Sequence, residues 1–444
     1  MTIPVKISIF VLLLLLNTNS YSKTIEFEKY NSKSNIQNND QYVDFIKDAV
    51  ISQPEYKEII AKKTKFNFDY RVSKGERFPT ISSSIVNDHY FDRKINEIDS
   101  IRKIQDDSLD AHIQLDQSIY SGNRITNNIL NAKRQTEIGN LNLQERASNL
   151  IMDANLIYFD AFKFQTILNV IEQKILEVDK LLKISNQRVK AGITQPAEEA
   201  LMQIKLNELL IIKAKMSFEI VRSRETFKRF FGEDFTSVSI PNLKLDNLSA
   251  NNSLIRQSEK LLSYEVQAAR ITTSQAETEI DIAKGEYRPQ FGLNVKYIQY
   301  DFDRDFDEYD IRGGIYFNMP LFDFGRRGNK VNSARANYKQ HEWGARAEEK
   351  DFLIKKVSLE GQLVALVSTL EELKSTKKST ERQKNILSNR MSGREYNSIA
   401  LADVIIQDLS LYKQILESEI ELYLTDLSLS HAKTVLLQRF RLSL

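Results

Sequence analysis

The side chains of this chain that could do chemistry are carboxylates and a few imidazoles, and their spacing argues against a reaction. Asp323-Phe324-Gly325 has the form of a kinase tripeptide whose Asp would hold magnesium. It follows a strand pattern ending in Pro320, with neither a nucleotide-binding loop nor a catalytic-loop motif, so a turn is the expected role. Asp301, Asp303, Asp305 and Asp307 alternate as calcium ligands do, yet Phe306 stands where such a loop needs glycine. A solvated acidic hairpin is expected there. His89, His112, His341 and His431 are scattered without ligand spacing, and no Ser-His-Asp constellation forms. Cysteine is absent, which removes thiolate catalysis and cysteine-based metal sites. The expectation is a chain with no catalytic residues, no metal and no cofactor.

Composition narrows the class further. Sixty-two basic and 60 acidic residues leave a formal net charge of +2, which does not suggest a nucleic-acid partner. Seven prolines and 14 glycines in 444 residues are few, so regular helix should dominate. Lys6, the apolar run Ile7 to Leu16 and Ser20-Tyr21-Ser22 have the order of an export signal over residues 1–22. That run is shorter than the ~20 residues a spanning helix needs. Any membrane contact must then be made by strands or by a surface.

The elements that organise the chain are written twice. Lys74-Gly75-Glu76-Arg77-Phe78-Pro79 returns as Lys284-Gly285-Glu286-Tyr287-Arg288-Pro289, a shift of 210 residues (285 − 75 = 210). The expected first repeat covers 23–231: a polar arm over 23–40, a helix from Gln41 to Ser73, a strand pair over 79–120 and a helical hairpin over 123–231. An irregular linker over 232–252 leads to the second repeat, 253–444, with its strand pair over 289–322 and hairpin over 325–440. Leu109, Ala111, Ile113, Leu115 and Ile119 alternate with Asp110, His112, Gln114, Asp116 and Ser118, the period of a strand with one apolar face. Phe291, Leu293, Val295 and Tyr297, then Ile311, Ile315, Phe317, Met319 and Leu321, give the second pair its apolar face. Strands of about 10 residues can cross a hydrocarbon layer when tilted, and aromatic residues gather near their ends.

Leu150, Ala154, Ile157, Ala161, Phe164, Leu168, Ile171, Ile175, Val178, Leu182, Ser185 and Val189 step by four and three, a 3.5-residue repeat that predicts left-handed supercoiling. Ala402, Ile405, Leu409, Tyr412, Leu416, Ile420, Tyr423 and Leu427 do the same. A helix from Asn123 to Lys190 would run roughly 100 Å. Gly192 with Pro196, and Gly393, are expected to fold each rod back on itself. Four strands cannot close a membrane barrel, whose smallest bacterial form has about eight, and an open edge in lipid leaves polar groups unpaired. Several copies must therefore associate.

In order and spacing these segments resemble the TolC-like outer membrane channel family of efflux and type I secretion systems. The resemblance rests on Phe78-Pro79 and Arg288-Pro289, on Gln117-Ser118-Ile119-Tyr120-Ser121-Gly122-Asn123-Arg124, and on Met319-Pro320-Leu321-Phe322-Asp323-Phe324-Gly325-Arg326-Arg327. It implies a mainly α fold with membrane β: four strands per protomer in a 12-stranded barrel of a homotrimer, and a coiled-coil tunnel in the periplasm. It also implies an exit channel in outer membrane lipid, coupled to an inner-membrane transporter through a periplasmic adaptor. Pro79, Gly122, Arg124, Pro289, Pro320, Gly325 and Arg327 are expected to shape the strand-to-helix turns. Ala402-Asp403-Val404-Ile405 matches the family's closed entrance, which makes Asp403 the gate candidate; Arg390 and Arg394 are candidate ion-pair partners, and Glu198 and Glu199 occupy the matching place in the first half. Gly192 and Gly393 mark the tips an adaptor would grip. The rival is a periplasmic adaptor or coiled-coil scaffold, which would carry one hairpin flanked by compact β domains.

Overall fold

The computed structural model describes residues 40–89, 91, 107–235, 262–303, 309–390 and 397–444. The expected export signal, nearly all of the polar arm, most of the linker, most of the outer loops and the second hairpin tip lie outside the described residues. Helix α1 (Asp40–Ser52) and α2 (Pro54–Gly75) precede strands β1 (Thr80–His89) and β2 (Asp107–Tyr120), then α3 (Arg124–Lys190) and α4 (Pro196–Phe231). The same series returns as α5 (Tyr264–Gly285), β3 (Gln290–Gln299), β4 (Tyr309–Asn318), α6 (Arg326–Arg390) and α7 (Ser398–Ala432), with a short α8 (Leu436–Arg439) closing the chain. The offset is 210 at α2 and α5 (264 − 54) and at β1 and β3 (290 − 80), and falls to 202 at α3 and α6 (326 − 124) and at α4 and α7 (398 − 196). The second repeat is thus eight residues shorter between its strands, and the helices that follow start at one constant offset.

The expected single helix from Gln41 to Ser73 is two helices. Pro54 starts α2, and Gln53 before it is extended (ψ 139°), the conformation a following proline imposes. Strand β4 ends at Asn318, so Met319 and Leu321 lie beyond the strand they were expected to extend. Pro320, with no N–H, cannot continue a ladder.

The four strands form one antiparallel sheet in the order β1-β2-β3-β4. Register places Ser84 opposite His112, His112 opposite Ile298, Gln114 opposite Lys296 and Lys296 opposite Arg312, so one face is mostly polar across the sheet. Ile85 with Ala111, Ile113 with Tyr297, and Leu293 with Ile315 compose the other, apolar face. Ile81, Ile85, Ile315 and Phe317 are all well exposed on it. Among the described residues the outer edges of β1 and β4 have no strand beside them.

Helices follow the strands in the same lateral order, α2 beside α3, α3 beside α5 and α5 beside α6. The α2–α3 contact depends on Gly139, where an added Cβ would collide with the Phe66 ring. The predicted seams of α3 and α7 are buried or half-buried along their length, and the single polar member, Ser185, is fully buried. Met202, Leu209 and Met216 of α4 line up at heptad spacing against them. Leu363 and Leu370 of α6 pack with Ile415, Leu422 and Leu429 of α7. Tyr42, Tyr158, Phe159, Phe227 and Tyr423 form an aromatic core in which the Tyr42 hydroxyl donates to Asn155 Oδ1 at 2.6 Å. Burial pushes the Tyr423 hydroxyl up to about 12.

Candidate functional site

Two places could carry function: the turns that hand the strands over to the helices, and the far ends of the helical hairpins. At the turns, Pro79 and Pro289 sit one residue ahead of β1 and β3. Each chain then leaves the sheet through two consecutive left-handed residues, Gly122 and Asn123 (both φ 68°) in the first repeat, Phe324 (φ 55°) and Gly325 (φ 82°) in the second. With the 202-residue offset, Gly122 is equivalent to Phe324 and Asn123 to Gly325, so the two turn glycines are not counterparts as the motif suggested. The backbone shape is kept while glycine moves from the first position to the second. Gly122 has a second constraint, because a Cβ there would meet the carbonyl oxygen of Gly285 at 2.5 Å.

Ser121 and Asp323, equivalent by the same offset, cap the rods. Ser121 Oγ accepts from the Ile125 N–H at 3.1 Å, and Asp323 Oδ2 accepts from the Arg327 N–H at 3.0 Å. Arg124 donates from Nε to the Ser121 carbonyl at 3.1 Å. Arg327 is buried; it donates to Asp323 Oδ2 at 2.6 Å and to the Pro320 carbonyl at 2.7 Å, with its guanidinium 5.0 Å from the Tyr287 ring centre. Its hydrogen bond holds the Asp323 carboxyl below the usual carboxylate range. The sequence motif located these turns but not the roles of Ser121 and Asp323 as caps.

At the first tip, Gly192 (φ 69°) donates to the Val189 carbonyl at 2.9 Å, and Ile193 to Arg188 at 2.9 Å, before Pro196 opens α4. Gly393 and Arg394 of the second tip lie outside the described residues. Arg390 is the last residue of α6 and is exposed. Glu198 and Glu199 are half-buried in the first turn of α4, and Glu198 accepts a hydrogen bond from the fully buried Ser398 hydroxyl at the start of α7. Asp403 is half exposed on α7 and pairs at 2.8 Å with Lys205 of α4. The Lys205 ammonium is raised above its ordinary range, first by that hydrogen bond. Among the described residues, Lys205 is a partner of Asp403. It escaped sequence reading because it lies in the other repeat, 198 residues away (403 − 205).

Behind this pair lies a charged chain that no motif announced. Lys174 of α3 contacts Asp408 of α7 at 2.6 Å and Glu177 at 3.5 Å, and Glu177 in turn contacts Lys384 of α6 at 2.6 Å. Lys174 and Asp408 are nearly buried, with 11% and 13% of their side chains exposed. Burial alone lowers the Lys174 ammonium, but the hydrogen bond and charge of Asp408, with Glu177, carry it above the usual lysine range. The available signal was Lys174 itself, three residues after Ile171 and four before Val178 on the apolar side of a heptad helix, where a charge needs a partner.

The same arrangement occurs in solved proteins. The Campylobacter jejuni CmeC outer membrane channel superposes with a TM-score of 0.73 at 11% identity, covering 93% of this chain and 88% of that one. The outer membrane protein VceC from Vibrio cholerae gives 0.71 at 13%, covering 88% and 96%. The Neisseria gonorrhoeae MtrE outer membrane channel gives 0.70 at 12%, covering 89% of each. The fold is that of a TolC-like channel protomer. No family profile and no curated protein sequence matches the chain. The TolC-like fold carries two helical hairpins, each following a strand pair, which is not the single hairpin between compact β domains expected of an adaptor.

Proposed function

We propose that the chain is an outer membrane exit channel, a passive duct whose strands complete a barrel with those of other copies and whose helical hairpins extend the lumen into the periplasm. The observation that carries this reading is a four-stranded sheet with one apolar face and two unpaired edges, continuing directly into rods of 67 and 65 residues. Unpaired edges within lipid are prohibitive, so the edges of β1 and β4 pair between copies. Three copies of four strands give the twelve expected of a trimer. Leu201, Ile204, Ile211 and Phe218 on α4, and Ile354 and Val357 on α6, leave apolar side chains exposed along the rods, ready for neighbours in the same ring.

In this reading the sheet end lies in the outer membrane and the tips face inward, where Gly192 and Gly393 mark contacts for a periplasmic adaptor and, beyond it, an inner-membrane transporter. The tip is the gate. Lys205–Asp403 joins the two hairpins of one protomer, and Lys174–Asp408 ties α7 to α3 behind it. Release of the outer pair would free three Asp403 carboxylates around the entrance, which favours cations over anions. Arg390 and Arg394 complete the charged surroundings. Such a duct serves drug efflux or type I secretion according to the transporter it joins.

Purified protein reconstituted in planar bilayers should give discrete conductance steps, and gentle crosslinking in detergent should stop at a trimer. A protein that leaves membranes in mild salt and adds no conductance would overturn the assignment.

A further inference from the structure

Building on the proposed channel, we infer that α4 of one copy packs antiparallel against α6 of the next along a second heptad seam, with Glu208 meeting Arg382 and Ile204 meeting Ile386. Each of these helices has two faces. On α4, Met202, Leu209 and Met216 are buried toward α3, while Ile204, Ile211 and Phe218 repeat at the same spacing on the opposite side and are exposed. On α6, Leu363 and Leu370 are buried toward α7, while Ser368, Ser375 and Arg382 repeat by seven on the opposite side, with Val364, Lys378 and Ile386 exposed beside them. The helices here lie in the order α6, α7, α3, α4, so the two exposed faces are the two flanks of the chain.

Ion pairs across the bundle fix the heights of these flanks. Lys213 of α4 contacts Glu172 of α3 at 2.9 Å, and five residues nearer the tip (177 − 172) Glu177 contacts Lys384 of α6 at 2.6 Å. Glu208 lies the same five residues nearer the tip than Lys213 (213 − 208), so it stands level with Lys384 and within about 3 Å of Arg382 along the axis. The same step brings Ile204 level with Ile386 and sets Phe218 between Ser368 and Ser375, whose small side chains leave room for the ring. Rotation about an axis parallel to the rods preserves height, so copies in a ring meet at this level, unlike flank to unlike flank. The charges agree with that meeting. Glu208 is exposed, and its neighbour Lys205, 3.7 Å away, is engaged by Asp403 at 2.8 Å. Lys378 and Arg382 have no ion-pair partner among the described residues. Opposite charges at the margin of a heptad seam set direction and register, while the apolar side chains supply the driving force.

The chain has no cysteine, so introduced pairs report alone. When full-length Ile204→Cys and Ile386→Cys proteins are co-expressed and oxidised in native membranes, non-reducing gels should show a covalent dimer that neither variant gives by itself. Ile211→Cys with Ile386→Cys, displaced by about 10 Å along the seam, should crosslink at least about tenfold less. Glu208→Arg should lower the temperature at which the trimer dissociates in detergent, and Arg382→Glu added to it should restore most of that loss. A trimer that links equally in both registers, links in neither, or recovers nothing from the charge exchange overturns the seam and leaves the channel reading standing, since conductance is scored separately. A protein that stays monomeric overturns both.

Discussion

Asp403 and Lys205 are half-exposed and partly exposed, so their pair contributes on the order of 1 kcal/mol or less to stability. In the proposed gate their value lies in position. Asp403→Ala and Lys205→Ala should each raise resting conductance in planar bilayers with little change in melting temperature, and the double variant should add nothing to either. Additive effects would mean the two residues act separately. Lys174 and Asp408 behave differently because both are nearly buried. Asp408→Asn leaves a desolvated ammonium with Glu177 alone, and should cost about 2–3 kcal/mol in denaturant unfolding, below the range for a wholly buried pair. The pH dependence has a definite sign: a lysine raised by folding stabilises fully below its unfolded value of about 10.4 and loses that contribution as pH climbs through the folded value. The gap between native and Asp408→Asn proteins should thus be level near neutrality and close in strong alkali. Neither pair was legible beforehand. A motif singled out Asp403, but cross-repeat partners require knowing which helices touch.

At the scale of elements, the twelve-position seam falls on α3 and the alternating positions on β2 and β3, because each pattern is set by local sequence. The break at Pro54 and the early end of β4 were missed, although each follows from proline, because an apolar pattern runs on past the residue that interrupts it. The close approach of α2 to α3 could not be foreseen, since Gly139 looks like any other glycine in a helix. Gly139→Ala should drive Phe66 off α3 and cost about 1–3 kcal/mol by overpacking. Adding Phe66→Ala should restore much of the loss at that contact. If Gly139→Ala alone melts like the native protein, the two helices are not so tightly joined.

For the molecule as a whole, the two faces of the sheet should respond oppositely to charge. Ile315→Lys places an ammonium on the apolar face and should weaken insertion into lipid by about 2–4 kcal/mol if it sits near the bilayer midplane. Ser84→Lys, on the polar face, should insert normally and alter ion preference instead. Urea-titrated folding into liposomes compares them, and equal penalties would reject the facing. The lateral flanks of the molecule are unlike each other, β1 with α2 on one side and β4 with α6 on the other. A body with such flanks cannot satisfy itself by facing its twin; each addition leaves a fresh margin until the bend brings the last copy round to the first. Stoichiometry then belongs to the curvature of four strands rather than to any one contact. Flattening them slightly would turn a sealed circle into a spiral that never meets its own beginning.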